Sequence, residues 1–241
     1  MADPAQSAHA EDRYTGGSYL ETHPDWHVED SAWKAEQVEA MLVRHGLTPH
    51  SICEVGCGAG EVLRALRERL DAATTFVGYE ISPQAHELAS TRTGDRLRFV
   101  LGDLAAEPDD VVFDLLLVLD VIEHLEDPFA FLRAMRPRAG RALLHIPLDL
   151  TVQAIARNLL ISSAREPLGH LQYFQKETAL ATLVESGYEI VDWVYTPSTF
   201  VHPPANPRAR AIQALRRAMF SASPDVTQRL IGGWSLLVLA R

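Results

Sequence analysis

Between Ile52 and Ile146 short apolar runs alternate with segments of helical periodicity, and the first run breaks into glycines at alternate positions, Gly56-Cys57-Gly58-Ala59-Gly60. Ile52 to Val55, Thr75 to Tyr79, Leu97 to Leu101, Val112 to Leu119 and Ala142 to Ile146 read as strands. Between them, Glu61 to Leu70 places Val62, Leu63, Leu66 and Leu70 on one side of a helix. Ser82-Pro83 opens a second helix through a serine cap and a first-turn proline, and Pro128 to Met135 forms another. A run as continuously apolar as Val112 to Leu119 belongs to a strand buried on both faces. Successive strand-helix-strand units imply an α/β fold, a doubly wound parallel sheet with right-handed crossovers and helices on both faces. Such a sheet binds its ligand at the carboxyl ends of its strands.

The flanks differ from this core. Asp30-Ser31 is expected to cap a helix from about Ala32 to His45, ended by Gly46. Past Ile146, Leu150 to Leu160 and Lys176 to Ser186 read as helices, and Tyr188 to Tyr195 and Trp234 to Ala240 as strands. Thr196 to Gly233 separates those last two strands and carries Pro203-Pro204 and a basic helix around Arg208 to Met219, with Arg208, Arg210, Arg216 and Arg217. Hairpin loops usually take about 2–5 residues, so an insertion of this size is expected to be functional, as a lid.

Lys and Arg number 22 against 32 Asp and Glu, a formal charge of -10 that offers phosphate backbones no overall attraction. The start, Met1 to Asp12, lacks the basic-then-apolar order of a signal peptide, and Leu115 to Leu119 with its neighbours is too short to span a bilayer. The expected partner is a small molecule, with neither nucleic acid nor membrane, in the cytoplasm; a homodimer is compatible with this. Cys53 and Cys57 lack the two-residue gap of redox and metal pairs and are read as structural.

The chemistry gathers at the strand ends. Gly56, Gly58 and Gly60 let the backbone turn tightly and approach a ligand closely. Glu80 ends the second strand, where a carboxylate can accept from two ribose hydroxyls. Gly102-Asp103 ends the third, where an adenine amino group could donate to it, and Asp120 opens the segment Asp120-Val121-Ile122-Glu123-His124-Leu125-Glu126-Asp127-Pro128 after the fourth.

In this order of motifs the chain resembles the class I S-adenosylmethionine-dependent methyltransferases, particularly the small-molecule branch that includes ubiquinone-biosynthesis O-methyltransferases and sugar N-methyltransferases. The likeness is clearest from Ile52 to Ile146 and continues more loosely through Gly169-His170-Leu171-Gln172-Tyr173-Phe174. It implies a Rossmann-like seven-stranded sheet, mostly parallel with an antiparallel last strand, plus helical lid elements. One domain is expected over 1–241: an amino-terminal lid and helix (1–46), a cofactor-binding core (51–146) and a substrate-side half (147–241) with the 196–233 insertion. The resemblance further implies that S-adenosyl-L-methionine lies with its methionine part on Glu54, Gly56, Cys57, Gly58 and Gly60, its ribose on Glu80 and Ile81, its adenine on Asp103 and Leu104, and its sulfonium near Asp120 and Val121. In similar proteins the amino-terminal region covers the cofactor, which makes Tyr19, Trp26 and Trp33 lid candidates.

Methyl transfer to a hydroxyl or amine also requires loss of a proton, and His124, His145 and His170, all at expected strand ends, are the candidate bases. Similar acidic-x-x-Glu-His segments bind metal in some relatives, so Asp120, Glu123 and His124 are candidate ligands, although the expectation is that no metal is bound. Two other readings differ in class. A nicotinamide-dependent oxidoreductase wants Gly-x-Gly-x-x-Gly, but Glu61 stands at the last place. A non-catalytic cofactor-binding protein would keep the fold without turnover.

Overall fold

The computed structural model describes residues 28–197 and 206–241. Helix α1 (Val28–Arg44) leads into β1 (Ser51–Val55), α2 (Glu61–Arg69), β2 (Thr75–Glu80), α3 (Pro83–Ser90), β3 (Leu97–Leu101), β4 (Phe113–Leu119), α4 (Pro128–Met135) and β5 (Ala139–Pro147). Then come α5 (Val152–Ala156), a π-helical turn (Leu160–Arg165), α6 (Lys176–Glu185), β6 (Ile190–Thr196), α7 (Pro207–Ala222), α8 (Pro224–Ile231) and β7 (Ser235–Ala240). The seven strands lie in the order β3-β2-β1-β4-β5-β7-β6, and β7 alone runs against its neighbours. The doubly wound sheet with an antiparallel last strand is the one expected.

Period-two patterning sorts the strands onto two faces. Ile52, Leu115, Leu117, Leu119, Leu143, Leu237 and Leu239 point to the side covered by α1 and α2, where Val38, Met41, Leu42, Leu63 and Leu66 meet them. Cys53, Leu116, Val118, Leu144, Ile146, Leu236 and Val238 point to the other side, under Leu132 and Met135 of α4 and Ala179 and Leu183 of α6. Both faces being covered, Leu115 to Leu119 are buried without interruption.

The second half departs from its expected bounds for local reasons. The helix expected over Leu150 to Leu160 stops at Ala156, because Asn158 takes a left-handed conformation (φ 55°) and breaks the repeat. β6 begins at Ile190 rather than Tyr188: Gly187 (φ 94°) turns the chain, and the buried Tyr188 donates its hydroxyl to Leu132 O at 3.2 Å. The insertion, expected to hold at least one helix, holds two among its described residues, since Ser223-Pro224 separates α7 from α8. It packs on the carboxyl end of the sheet. Phe220 stacks on Trp234 at 4.1 Å and meets Tyr195 edge-on at 5.4 Å, while Gln228 donates to Leu148 O at 2.8 Å.

Gly60, the first-turn residue before α2, shows how tightly the glycine turn is packed. Its φ is 77°, and a Cβ there would lie 2.4 Å from Phe99 Cζ. Gly60→Ala should lower unfolding stability by about 1–3 kcal/mol through overpacking, measured by urea denaturation. An unchanged midpoint would show that Phe99 moves aside freely.

Candidate functional site

The end of β1 becomes a turn in which Gly56, Gly58 and Gly60 all have positive φ. Gly56 and Cys57 donate their amides to Tyr79 O at 2.9 and 3.1 Å, which pins the turn to the end of β2. A Cβ on Gly56 would lie 2.9 Å from Val121 Cγ2, so the turn is close to the loop after β4 as well. Glu80 bridges the two ends: Gly58 N donates to its Oε2 at 2.8 Å and Ser82 N to its Oε1 at 2.8 Å. Burial raises its pKa, opposed by those amides. Ile81 beside it is exposed, an apolar side chain on an otherwise polar rim. Asp103 is exposed and caps the following turn by accepting from Ala105 N at 2.8 Å, whereas Leu104 points into the core and leaves only its main chain at the rim.

Asp120 sits after β4 at φ 56°. Lys34 Nζ from α1 approaches its Oδ2 at 2.6 Å, and His145 Nδ1 from β5 its Oδ1 at 2.5 Å. Burial alone would raise the Asp120 pKa, but His145 and Lys34 outweigh it and hold the carboxyl well below the usual range. Burial would likewise lower Lys34, and the Asp120 carboxylate reverses that. The far nitrogen of His145 meets Thr196 Oγ1 at 2.9 Å, and the Trp33 ring stands edge-on to His145 at 5.8 Å. One hydrogen-bonded chain thus joins α1, β4, β5 and the end of β6.

A second cluster lies just beyond. Glu123 is 1% exposed, and neither carboxylate oxygen has a hydrogen-bond partner, while its backbone carbonyl accepts from Leu171 N at 2.7 Å and Gln172 N at 2.9 Å. Burial, with Asp120 adding to it, raises its pKa well above the usual value. The backbone bonds bring His170 against His124, ring edge to ring face at 4.9 Å, and Asp149 Oδ2 holds His170 Nδ1 at 2.6 Å. Glu123, His124 and His170 each offer a ligand atom, all within 4.8 Å of one another.

The described surface also has a cleft lined by Pro49, His50, Phe113, Asp114 and Arg141. It lies at the amino ends of β1, β4 and β5, away from every feature above.

A methyltransferase domain family matches residues 29–192. The chain belongs to this family, the class I S-adenosylmethionine-dependent methyltransferases. It is 27% identical over 165 residues to the mitochondrial ubiquinone-biosynthesis O-methyltransferase of Schizosaccharomyces pombe, covering 64% of this chain and 56% of the relative. The chain therefore spans little more than half the length of that curated relative. Among solved structures it is similar to the magnesium protoporphyrin IX methyltransferase of Synechocystis PCC 6803 with bound S-adenosylhomocysteine (18% identity, 97% of each chain, TM-score 0.61). It is similar also to a Bradyrhizobium japonicum N-methyltransferase in complex with the same product (18%, 86% of each chain, 0.54). At these identities the structural likenesses speak to the fold.

In this methyltransferase the structure gathers Glu54, the glycine turn, Glu80 and Asp120 on one rim, with Asp103 at the end of the neighbouring β3. Tyr19 and Trp26 lie outside the described residues. Two groups of candidates are arranged differently from the rest. His145 and His170 are both buried, but His145 has both ring nitrogens engaged, by Asp120 and Thr196. The trio Asp120, Glu123 and His124 is not the cluster that forms, because Asp120 is committed to Lys34 and His145 and its place is taken by His170. The sequence reading missed Lys34, Asp149 and Thr196. Lys34 had a signal: it shares helical spacing with the buried Val38 and Met41, so its ammonium had to face inward.

Glu54, 3% exposed with Oε2 unpartnered, has its pKa pushed up to about 8 by burial, with Glu80 adding to the shift and Lys34 opposing it. An unfolded glutamate ionises near about 4.3, so the folded methyltransferase holds this proton more tightly than the unfolded chain. That contribution is full below the unfolded value and is lost as pH rises through the folded one. Glu54→Gln, uncharged throughout, should therefore gain stability relative to wild type on going from about pH 5 to about pH 8. Urea titrations at the two pH values giving a constant difference would remove Glu54 as the buried titrating group.

Proposed function

We propose that this methyltransferase moves the methyl group of S-adenosylmethionine to an oxygen or nitrogen of a small-molecule acceptor in specialised-metabolite or glycan-precursor biosynthesis. The observation that carries the reading is the Glu80 bridge: a buried carboxylate at the end of β2 tied to the amide of the glycine turn. Glu80 would hold the ribose hydroxyls, and Gly56, the Cys57 main chain, Gly58 and Gly60 the methionine part, with the unpartnered oxygen of Glu54 available to its ammonium. Ile81 and the Leu104 main chain flank the adenine, whose amino group Asp103 receives. Asp120 and Val121 edge the sulfonium, and Trp33 belongs to the cover. The related O- and N-methyltransferases support an oxygen or nitrogen acceptor.

S-adenosylmethionine supplies an electrophilic methyl group and leaves as a thioether. The residues of this chain supply position and a proton acceptor. In-line displacement needs the nucleophile about 3–3.5 Å from the methyl carbon in a site closed to water, and the half from 147 to 241, with α7 and α8, provides the acceptor wall. His170 is the base. Asp149 on Nδ1 favours the tautomer that leaves Nε2 able to accept a proton, with His124 beside it. With the methyl donor and acceptor bound, His170 would take the proton that the acceptor loses on methylation.

The two unpartnered oxygens of Glu123 favour a second reading, in which Glu123, His124 and His170 hold a divalent ion that orients and acidifies an acceptor hydroxyl. The donor set of one carboxylate and two imidazoles fits such an ion.

Glu80→Ala or Gly58→Val should weaken S-adenosylmethionine binding at least about tenfold, since a lost charge-assisted hydrogen bond costs about 1.5–3 kcal/mol, with circular dichroism unchanged and no affinity for NAD. Unchanged affinity in both variants by isothermal titration would overturn the cofactor assignment. His170→Ala should lower kcat by about 10²–10⁴ at unaltered cofactor affinity. Zinc titration separates the two readings of this cluster: binding that Glu123→Gln abolishes supports the metal, and absence of binding leaves His170 as base.

A further inference from the structure

Helix α7 is the one element singled out in the sequence that methyl transfer does not use as chemistry. Its sixteen residues, Pro-Arg-Ala-Arg-Ala-Ile-Gln-Ala-Leu-Arg-Arg-Ala-Met-Phe-Ser-Ala, contain four arginines and no acidic residue, in a chain whose formal charge is -10. None of its residues is buried. Its attachment is lateral, through the stack of Phe220 on Trp234 and a 3.5 Å bond from Arg216 to Gln153 of α5, which fixes the side it turns outward.

On that outward side Ala211, Leu215, Ala218 and Ala222 follow at i, i+4, i+7 and i+11, and Ile212 and Met219 lie alongside. Leu215 is 61% exposed, Ile212 47% and Met219 37%. Arg210 and Arg217, exposed, border this strip on one flank and Arg216 on the other, with the exposed Arg208 at its amino end. Val152 and Ile155 on the neighbouring α5 are exposed too. An apolar strip bordered by arginines is the pattern of a helix that lies in the plane of a membrane surface, its apolar side chains among acyl chains and its cations among anionic headgroups. A polyanion such as RNA would use the arginines and leave the leucine and isoleucine without a role. Another copy of this chain, with its acidic excess, would use the charges but needs an apolar counterpart for the strip.

We propose that α7 docks this methyltransferase on the surface of an anionic lipid bilayer. Among the described residues no helix is long and apolar enough to cross a membrane, so the contact is superficial. Because α7 and α8 stand at the carboxyl-end rim, docking there turns the site toward the bilayer.

Co-sedimentation of the full chain with phosphatidylcholine vesicles, with and without phosphatidylglycerol, tests this. The expected result is binding only when phosphatidylglycerol is present, weakened by salt, and reduced at least about tenfold both by Arg208→Glu with Arg210→Glu and by Leu215→Gln. All three substitutions lie on exposed positions, and S-adenosylmethionine affinity confirms that each variant is folded. No binding of wild type to anionic vesicles overturns the proposal. So does binding to heparin and vesicles alike that ignores Leu215→Gln, which marks a general polyanion surface, or self-association in sedimentation velocity that Leu215→Gln abolishes.

Discussion

The carboxylate of Asp120 is a partly buried anion on a left-handed backbone, and two cations meet it. Removing a charge from water costs several kcal/mol, repaid when partners and hydrogen bonds are well placed. Lys34 at 2.6 Å and His145 at 2.5 Å supply them, from a helix that precedes the sheet and a strand beside Asp120. Removing either partner would leave a charge with less compensation in a partly dry setting, so the position of α1 over the rim, the turn after β4 and the end of β6 at Thr196 are fixed together. The same ammonium sits in the field of Glu54, whose carboxyl is otherwise left to burial and to Glu80. The rim is a shared electrostatic structure in which the amino-terminal helix is a member.

Next to it the balance is different. Glu123 is more deeply placed than Asp120, yet no cation or donor hydrogen-bonds to its carboxylate among the described residues, and its pKa goes up where that of Asp120 goes down. Two acids three residues apart are thereby separated into an ionised member that organises the backbone and a protonation-prone member facing two histidines. Divergence of this kind between neighbouring groups is a mark of functional sites, and it lies one loop away from the turn that the methyl donor occupies in the proposed reading.

Much of this was legible in the sequence, and what was not has a common cause. Gly56, Gly58 and Gly60 announce positive φ, the spacing to Glu80 places a carboxylate at the next strand end, and the run Leu115 to Leu119 announces a central strand, because each is a local rule of backbone or burial. Pairings across the fold follow no such rule. His170 meets Asp149 and His124 only because Glu123 O draws in the Leu171 and Gln172 amides. His145 reads as a rim histidine but is locked from both sides by Asp120 and Thr196, residues 25 and 51 positions away. α8 was hidden inside an insertion whose helical boundary at Ser223-Pro224 was visible yet unread.

In the proposed reading S-adenosylmethionine binds at the carboxyl-end rim braced by Asp120. Hydrogen–deuterium exchange with and without S-adenosylmethionine tests it at the backbone. Added protection should appear in Gly56 to Gly60, in Glu80 to Ser82, in Gly102 to Ala105 and in Asp120 to His124, with none around the opposite cleft from Thr48 to Ser51. Unaltered exchange along the rim at saturating ligand, or protection centred on that opposite cleft, would contradict the account.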